Sequence, residues 1–515
     1  MLCISQAAAA VRLRCNLKVA PDGVTSELLS DLRPSQVDEL MVLAICEKVS
    51  RPLCWSRIPV TVLPKSKGVT LFQNRLIACQ AASHKLYLSA FQHAIYHDIE
   101  DHLDVLMGGI RKGDLASAWI ARINVAIAKC TEWGIRLCLG FVDISRAFAS
   151  INHAFLLQAC QRIGMKPAWL KLITHELQNT SIDLFVNRTF VGNILLERGL
   201  VEGIPTSSLL LAIFLSVFWA RVRQHPAYCE KVMTFPSQYN QIEFKLHAAG
   251  WVDDWILASM STEGLQTLVT LVSTAFEDLG MHIAMDKFKW RAAGFNHPPN
   301  ALYWKSRTFM RNSEVVFLGA LISNDGVMAH IDYRYRRMLA SWGSMRTTLS
   351  RKGANRSHLC KAADAVALPA YLWAIEIFPI TTNVLMRLVS DYLVVLRMIV
   401  GRVSPHDREK WIHVHSVIKQ LYRDGKLQSP VVRTYYAQER LYRFLQNRPA
   451  FDLHKLMNWR SNQWLSTVSR RSRPSRARPG NPPKQLESEF LHREEFSVFF
   501  RAHKYADNLA MPPFA

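Results

Sequence analysis

Two adjacent acidic residues interrupt an apolar run in the stretch Gly250-Trp251-Val252-Asp253-Asp254-Trp255-Ile256-Leu257. A second apolar run, Leu137-Cys138-Leu139-Gly140-Phe141-Val142, ends on Asp143. A carboxylate at the end of a buried strand is costly unless it is paired, solvated or bound to a metal. If the two strands are neighbours, the three aspartates gather at one edge of a sheet. Such a cluster is a natural seat for two divalent cations, an arrangement that suits in-line displacement at phosphorus.

An Asp-Asp pair alone is a weak signal. It is expected about once by chance in a chain of this length. Polar residues between two apolar runs are also ordinary hairpin chemistry. The interpretation of Asp253 and Asp254 therefore depends on the rest of the chain.

Length and charge narrow the class of protein. The chain has 515 residues, which predicts two to four domains. It carries 63 Lys plus Arg against 41 Asp plus Glu, a net charge of +22. An excess of this size spread over the whole length favours a polyanionic partner, most simply DNA or RNA. A merely basic soluble protein is the alternative.

Cysteine usage and hydropathy argue against a disulfide-stabilised protein and against a membrane-spanning one. The ten cysteines are scattered without a C-x-x-C pair, which predicts a reducing, intracellular compartment and no disulfide framework. No cysteine follows Cys360, so the C-terminal part has no cysteine-based zinc knuckle. The longest apolar stretch, Ser208 to Ala220, is too short for a bilayer and predicts a buried helix. No membrane partner is expected.

The apolar periodicity predicts an α+β fold in which helices pack behind a sheet. A short strand is expected at residues 60–63, and a flexible basic loop at residues 108–113. A helix with Asn152 as its N-cap should end at Gly164. A second helix, after Asp254, should end at Gly280. Other helices are expected from about 83 to 106 and 115 to 132, and beyond about residue 330 the chain reads as helical and strongly basic. The tract at 470–484 is low in complexity and rich in Arg and Pro, which predicts disorder.

Eight stretches occur in a characteristic order: Ala20-Pro21-Asp22-Gly23-Val24, Leu63-Pro64-Lys65 with Arg75-Leu76-Ile77, Gly109 to Gly113, Phe141 to Ala149, Arg198 to Ser208, Trp251 to Asp254, Gly280 to Lys287, and Phe317-Leu318-Gly319 with Asp325-Gly326. In this order they resemble the reverse transcriptase domain of non-LTR (LINE-type) retrotransposons, from about residue 18 to about residue 380. The resemblance depends on serial order more than on any one motif.

The resemblance implies a right-hand polymerase fold and RNA-directed DNA synthesis. Residues 1–135 would form the fingers, interleaved with the palm, and residues 136–328 the palm with its antiparallel sheet and catalytic carboxylates. A helical thumb would follow at 329–400. A basic helical extension would complete the chain at 401–515, with the Arg/Pro-rich tract inside it. The implied partners are an RNA template, a DNA primer and dNTPs, and protein partners are unknown.

Carried over position by position, the resemblance gives roles to individual residues. Asp143, Asp253 and Asp254 would be the catalytic carboxylates and would hold two Mg²⁺, with Mn²⁺ as an alternative ion and the backbone carbonyl of Ile144 as a further metal ligand. The residues that would surround the incoming nucleotide are Lys65, Arg75, Ile144, Phe148, Glu202, Gly203 and Lys287. The residues that would contact primer and template are Trp251, Phe317, Leu318 and Gly319.

Three of these roles have a specific chemistry. An aromatic ring at Phe148 would block a 2′-OH by sterics, which favours deoxynucleotides; a core phenylalanine is the alternative. Lys65 and Arg75 would neutralise the triphosphate. Lys287 would donate a proton to the leaving pyrophosphate, and a solvated helix-end lysine is the alternative for it.

The chain departs from the family pattern at several positions. Glu202 replaces a glutamine, Ser208 a proline, Trp251 a tyrosine, Ala149 an acid and Leu76 a proline. None of the changes removes a metal ligand, yet together they are typical of a somewhat degenerate copy of such an element. The resemblance begins almost at Met1, which suggests that this copy is truncated at its N-terminus. A catalytically impaired relic that only binds nucleic acid is therefore the rival function. RNA synthesis on the same palm is a third, which Phe148 opposes, and a nuclear location is expected from the family and the basic tract.

Overall fold

The computed structural model describes residues 53–63 and 75–446, except for residues 112, 179, 236–243, 324–325, 379, 401–416, 419, 422–426 and 428–429. The predicted entry motif near Ala20, the candidate ligand Lys65 and the Arg/Pro-rich tract at 470–484 lie outside these residues.

The strands of the described residues are numbered in chain order. They are β1 (Arg57–Leu63), β2 (Arg75–Ala78), β3 (Met107–Gly108), β4 (Leu137–Ser145), β5 (Ser181–Val186), β6 (Thr189–Leu195), β7 (Thr234–Phe235), β8 (Phe244–Lys245), β9 (Ala249–Trp251), β10 (Asp254–Ser259), β11 (His282–Ile283), β12 (Lys289–Ala293), β13 (Ala301–Trp304), β14 (Arg307–Met310), β15 (Glu314–Phe317) and β16 (Ala320–Ser323).

The α-helices of the same residues are numbered likewise. They are α1 (Leu53–Ser56), α2 (Ala82–Ile99), α3 (Ala116–Trp133), α4 (Ala147–Ser150), α5 (His153–Arg162), α6 (Pro167–Gln178), α7 (Pro205–Gln224), α8 (Pro226–Lys231), α9 (Thr262–Glu277), α10 (Gly326–Arg351), α11 (Arg356–Ala362), α12 (Leu368–Leu372), α13 (Thr382–Val400) and α14 (Pro430–Gln446). The mixture of helices and antiparallel sheet confirms the α+β class.

The largest sheet has six strands in the order β11-β4-β10-β9-β3, with β12 also paired to β4. Its central pair, β4 and β10, is antiparallel. Only the β3–β9 pairing is parallel among those of this sheet. The strand that carries Asp143 is therefore flanked on one side by the strand that begins at Asp254.

Both faces of this sheet are buried, which explains the near-continuous apolar character of its two central strands. Trp255 and Leu257 join one core, with helices α2, α5, α7 and α9. Ile256 and Ala258 join the other, with α3 and the β15–β16 hairpin. The alternation follows from the two-residue side-chain period of a strand. Trp255 stacks on Trp219 of α7 with ring centroids 4.4 Å apart.

A second sheet of four strands has the order β2-β1-β5-β6. Strands β1 and β5 are parallel, and the other pairs are antiparallel. Its small core contains Ile58, Val60, Leu184 and Val201. Helices α10 to α14 form a third core around Trp342, Tyr371 and Tyr392, each of which is fully buried.

Several predicted helices are confirmed. The Asn152 side chain accepts hydrogen bonds from the Ala154 and Phe155 amides and so caps α5, as expected. Gly280 follows α9 with φ +72°. The apolar stretch at 208–220 lies inside α7, a helix long and apolar enough to span a membrane by length and composition alone. Two thirds of its window is buried within the fold (67%), as in the core helix of a globular domain.

One prediction of local structure was wrong. The helix expected to run to about residue 106 ends at Ile99, and a short 3-10 turn follows at Glu100–His102. The described residues of the basic loop at 108–113 make hydrogen bonds, and its flexibility stays a prediction. The Asp114 carboxylate accepts from the amides of Gly109, Ile110 and Arg111 at 3.0 to 3.2 Å, and the Arg111 guanidinium donates to the Leu103 carbonyl at 2.5 Å.

Candidate active site

The strand register brings the predicted acids together. Asp254 is the cross-strand partner of Asp143 in the β4–β10 pair. Directly opposed residues of an antiparallel pair point to the same face, with Cβ atoms about 4.5–5.5 Å apart. Asp253 lies in the two-residue turn between β9 and β10, next to this pair. The prediction that the two acidic stretches are neighbours is therefore confirmed.

The turn that carries Asp253 is strained and held by hydrogen bonds. Val252 has φ +57°, which is unusual for a β-branched residue. Its amide donates to the Gly108 carbonyl at 3.2 Å, and its carbonyl accepts from the Trp255 indole at 2.9 Å. The carbonyl of Asp253 accepts from the Ile144 amide at 3.3 Å. Strain of this kind persists only where the surroundings fix the backbone, and it is common at functional sites.

Glycines allow the neighbouring chain to approach the turn. A Cβ on Gly108 would lie 2.5 Å from the Trp251 ring and 2.7 Å from the Trp119 ring. Trp251 is half-buried and meets Trp119 edge to face, with centroids 5.3 Å apart. The aromatic residue before the acid pair is thus packed against α3 beneath the turn, and its predicted contact with the primer stays a prediction.

The three acids are electrostatically coupled. The pKa of Asp254 is raised to about 6, mainly by burial and in addition by the charges of Asp253 and Asp143, while the charge of Lys287 opposes the shift. The Lys287 ammonium donates to Asp143 Oδ2 at 2.8 Å. Burial, the largest single influence, lowers the pKa of Lys287, but the hydrogen bond to Asp143 and the charges of the surrounding acids raise it overall. Lys287 is therefore protonated at neutral pH.

The three aspartates suit a metal ion by the chemistry of their ligand atoms. Within the ranges that the structure describes, no three His, Cys, Asp or Glu side chains converge into a ready-made metal site. The carboxylates of Asp143, Asp253 and Asp254 are nonetheless hard oxygen donors of the kind that Mg²⁺ takes. The mutual repulsion that raises the pKa of Asp254 is the repulsion that a bound cation would relieve. The two-metal arrangement stays a prediction.

The candidate nucleotide residues fall around the junction of the two sheets. Arg75 begins β2, in the four-stranded sheet. Glu202 and Gly203 are exposed beside the end of that strand, where the Glu202 carbonyl accepts from the Ala78 amide at 3.1 Å. Gly203 has φ +96°, a conformation that favours glycine. The same segment reaches the Asp143 side, because the Leu200 amide donates to the Phe148 carbonyl at 2.7 Å.

Ile144 follows Asp143 directly, and Phe148 lies five residues after it, in α4. Ile144 is buried and pairs with Ile283 of β11. Phe148 is half-buried and packs against the core on the α7 side of the sheet. The Phe148 ring therefore contacts core residues. Its role at the ribose stays a prediction, with a core phenylalanine as the alternative.

The Phe317-Leu318-Gly319 segment forms the turn of the β15–β16 hairpin, as the turn prediction required. Phe317 is buried, with its ring 5.8 Å from that of Phe141 between centroids. Phe141 lies two residues before Asp143 in β4. The hairpin therefore packs on the face of the sheet toward which Asp143 and Asp254 point.

Three residues near this turn were missed by the sequence analysis: His330, Arg334 and Trp373. Their side chains bond to the backbone of residues 318–321. Arg334 appeared in the sequence only as one of many basic residues in a helical region. No local pattern marks a side chain whose partners are backbone groups far along the chain, so no signal was available.

Comparison with known proteins agrees with this geometry. Residues 69–322 match the family model described as reverse transcriptase (RNA-dependent DNA polymerase). This range contains all three acids, Arg75, Phe148, the 202–203 segment, Lys287 and the β15–β16 turn.

Among solved structures, the chain is similar to an apo telomerase from Candida tropicalis truncated from its C-terminal domain. The sequence identity is 11% and the TM-score 0.33, and the match covers 56% of this chain and 59% of the telomerase chain. A likeness at that score carries no argument about fold or function. The family match is the stronger finding: residues 69–322 are similar to the reverse transcriptase family model.

Proposed function

We propose that this protein is an RNA-directed DNA polymerase of the non-LTR mobile-element type. It would transfer a nucleotide from a dNTP to a primer 3′-OH, with pyrophosphate as the leaving group. The observation that carries the proposal is the cross-strand pairing of Asp143 with Asp254, with Asp253 in the adjoining turn. On this proposal β1 and β2 belong to the fingers, β4 and β10 to the palm, and most of α10 to the thumb.

The acids would hold the metals that the reaction needs. Asp143, Asp253, Asp254 and the carbonyl of Ile144 would bind two Mg²⁺, which when bound supply charge neutralisation at the phosphates and activation of the primer oxygen. The chain itself contributes a fixed geometry. Val252 and Asp253 are tied by backbone hydrogen bonds to Gly108 and Ile144, so the acids need little reorganisation before reaction.

Lys287 would act on the leaving group. Its ammonium is 2.8 Å from Asp143 Oδ2, half-exposed, and protonated because its pKa is raised. A protonated amine at the edge of the acid cluster can release its proton to an oxygen that gains charge as pyrophosphate departs. Arg75 and Lys65 would neutralise the triphosphate, and Phe148 would exclude a ribose 2′-OH by its bulk.

The test is primer extension on an RNA template with dNTPs and Mg²⁺. The parent protein should extend the primer, and Asp143→Asn or Asp254→Asn should reduce the rate by about 10³-fold or more, since removal of one electrostatic element of a site costs on that scale. Asp101→Asn is the matched control, because Asp101 is an exposed acid of the 3-10 turn and belongs to neither β4 nor β10. Equal extension by the parent and the Asp254→Asn variant would refute the assigned role of that acid.

The rival function is nucleic-acid binding without synthesis. The exposed Glu202 favours it, because this acid stands in the segment beside the β2 strand that carries Arg75 and would repel a triphosphate. Binding of RNA that weakens with salt, without incorporation of nucleotide, would support the rival. Recovery of incorporation in Glu202→Gln would show that the pocket, and not the acid cluster, had drifted.

A further inference from the structure

The turn of the β15–β16 hairpin has an unfavourable backbone conformation. Leu318 has φ +47° and Gly319 has φ +79°. Two consecutive positive φ values give the strand-compatible type I′ turn, whose usual residues are Asn and Gly. Leucine is a poor residue at such a position, since its Cβ crowds the carbonyl oxygen that follows. Contacts from outside the hairpin hold this conformation.

Those contacts come from three side chains of the helical segment that follows, His330, Arg334 and Trp373, which we name the hairpin latch. The Trp373 indole donates to the Leu318 carbonyl at 2.8 Å, and the Arg334 guanidinium donates to the Gly319 carbonyl at 3.2 Å. His330 Nδ1 accepts from the Leu321 amide at 3.1 Å. Successive backbone groups around the turn are thus bound by one cluster.

The latch is also connected within itself. His330 Nε2 donates to the Trp373 carbonyl at 2.9 Å, and the second Arg334 nitrogen donates to the Ala370 carbonyl. His330 and Arg334 are buried. A Cβ on Gly319 would lie 3.2 Å from the Trp373 indole nitrogen, so glycine allows the close approach. The turn, the start of α10 and the end of α12 therefore form one hydrogen-bonded unit.

The opposite side of the hairpin is fixed to the strand of Asp143. Phe317 packs on Phe141, two residues before that acid, with ring centroids 5.8 Å apart. The buried Arg291 of β12, a strand paired with β4, donates to the Ile322 carbonyl at 2.8 Å. The hairpin is therefore held between the acid-bearing sheet and the helical segment, and its turn has a defined position relative to the acids.

We propose that Arg334, His330 and Trp373 are positioning residues for the primer strand. By fixing the 318–319 turn they determine where the primer 3′ end lies relative to Asp143 and Asp254. Trp373 is 42% exposed beside the turn, so its indole extends the surface that the turn offers to the primer. This inference rests on the proposed polymerase function and on the predicted primer contact of the turn.

The surroundings of the latch suit a polyanion. Helix α10 carries His330 and Arg334 on its buried side, and Arg336, Arg337 and Arg351 of the same helix are exposed. A helix that holds the turn with one face and offers guanidinium groups with another can bind phosphates of the strand whose end the turn positions.

Trp373→Phe tests the inference, because it keeps a ring and removes the hydrogen-bond donor to Leu318. Tyr303→Leu is the matched control, since Tyr303 is an exposed aromatic residue (63%) of the β13–β14 hairpin. We expect kcat for addition of a single nucleotide to fall about three- to tenfold in Trp373→Phe, the usual scale for one lost hydrogen bond. KM for the dNTP should stay within about twofold, because the nucleotide pocket is untouched.

A second readout reports primer alignment without chemistry. 2-Aminopurine at the primer 3′ end, measured on bound primer–template without dNTPs, should emit more strongly in Trp373→Phe than in the parent and in Tyr303→Leu, because a loosened terminal base unstacks. Circular dichroism and a melting temperature within about 3 °C of the parent would establish that the variant is folded.

The outcomes separate the two proposals. If the parent extends primers and Trp373→Phe matches it in both kcat and emission, the latch inference is overturned and the polymerase function stands. If the parent incorporates no nucleotide but Trp373→Phe alone changes the emission, the latch is supported and polymerase activity is not. A parent that binds no primer–template overturns both.

Discussion

His330 gives the most direct quantitative test of the structure. The side chain is fully buried at the junction of the β15–β16 hairpin and α10. Its Nδ1 accepts from the Leu321 amide and its Nε2 donates to the Trp373 carbonyl, so only the neutral ring with a proton on Nε2 satisfies both partners. Its pKa is lowered from 6.5 to about 4, mainly by burial; the hydrogen bond to Trp373 raises it, and the nearby Arg334 charge lowers it.

The contribution of His330 to the free energy of unfolding follows from its pKa shift. At 1.36 kcal/mol per pKa unit, a shift from 6.5 to about 4 corresponds to about 3 kcal/mol between the folded and unfolded states. The unfolded chain takes up this proton below pH 6.5, and the folded chain does so only near pH 4. The contribution to stability is therefore fully present above pH 6.5 and is lost as the pH falls toward 4. At pH 5 about 2 kcal/mol of it should be gone.

The assay is exchange of the imidazole Cε1 hydrogen with deuterium, followed by mass spectrometry of the peptide that contains His330. The exchange midpoint should lie near pH 4 in the folded protein and near 6.5 in urea. His330→Gln keeps a nitrogen donor and removes the titration. The difference in free energy of unfolding between parent and variant should shrink by about 2 kcal/mol from pH 7.5 to pH 5. His247, whose pKa burial also lowers to about 4, is present in both proteins and cancels.

A folded-state midpoint between pH 6 and 7 would refute the reasoning. So would a constant stability difference between the parent and His330→Gln across this pH range, because the pH dependence would then arise elsewhere.

Three further predictions concern the acid-bearing sheet. Without metal at pH 8, Asp254→Asn should raise the free energy of unfolding by about 2–3 kcal/mol, because an ionised carboxyl whose pKa is raised to about 6 destabilises the folded state. This gain in stability should vanish near pH 4, where the carboxyl is protonated in the folded protein. Urea unfolding at both pH values measures the difference. Leu265→Ala should cost about 2–5 kcal/mol in urea unfolding, because the side chain is fully buried in α9 beneath β4, and a cost below about 1 kcal/mol would contradict that packing. Gly250→Ala should reduce both stability and primer extension, since its Cβ would meet the Asp254 carbonyl oxygen at 2.6 Å and also the Trp255 ring; a variant with the parent's melting temperature and extension rate would show that the turn yields freely.

The sequence was sufficient to predict those parts of the structure that follow from apolar periodicity and from the residues at strand and helix ends. Apolar runs that finish on Asp143 and begin after Asp254 predict buried neighbouring strands, because burial of both faces removes polar residues from their interiors. The Asn152 cap was predictable for a similar reason, since capping depends on residues only two or three positions apart.

Long-range polar contacts were not predictable. Arg111 belongs to a glycine-rich basic segment that indicates a mobile loop, yet its guanidinium lies against backbone carbonyls that precede it. His330 and Trp373 meet across 43 positions of sequence. Such contacts depend on which backbone groups the fold leaves without partners, and that is decided only when the sheet and helices are assembled.

The burial of both faces of the β4–β10 pair has a consequence for how this gene tolerates mutational change. Side chains along β10 alternate between two separate cores. Deletion of a single codon within the strand would send every subsequent side chain into the opposite core, whereas a substitution disturbs only one of them. In-frame indels between residues 254 and 259 should therefore be rarer than substitutions among homologous genes. The distribution of such indels would show whether selection acts on this strand.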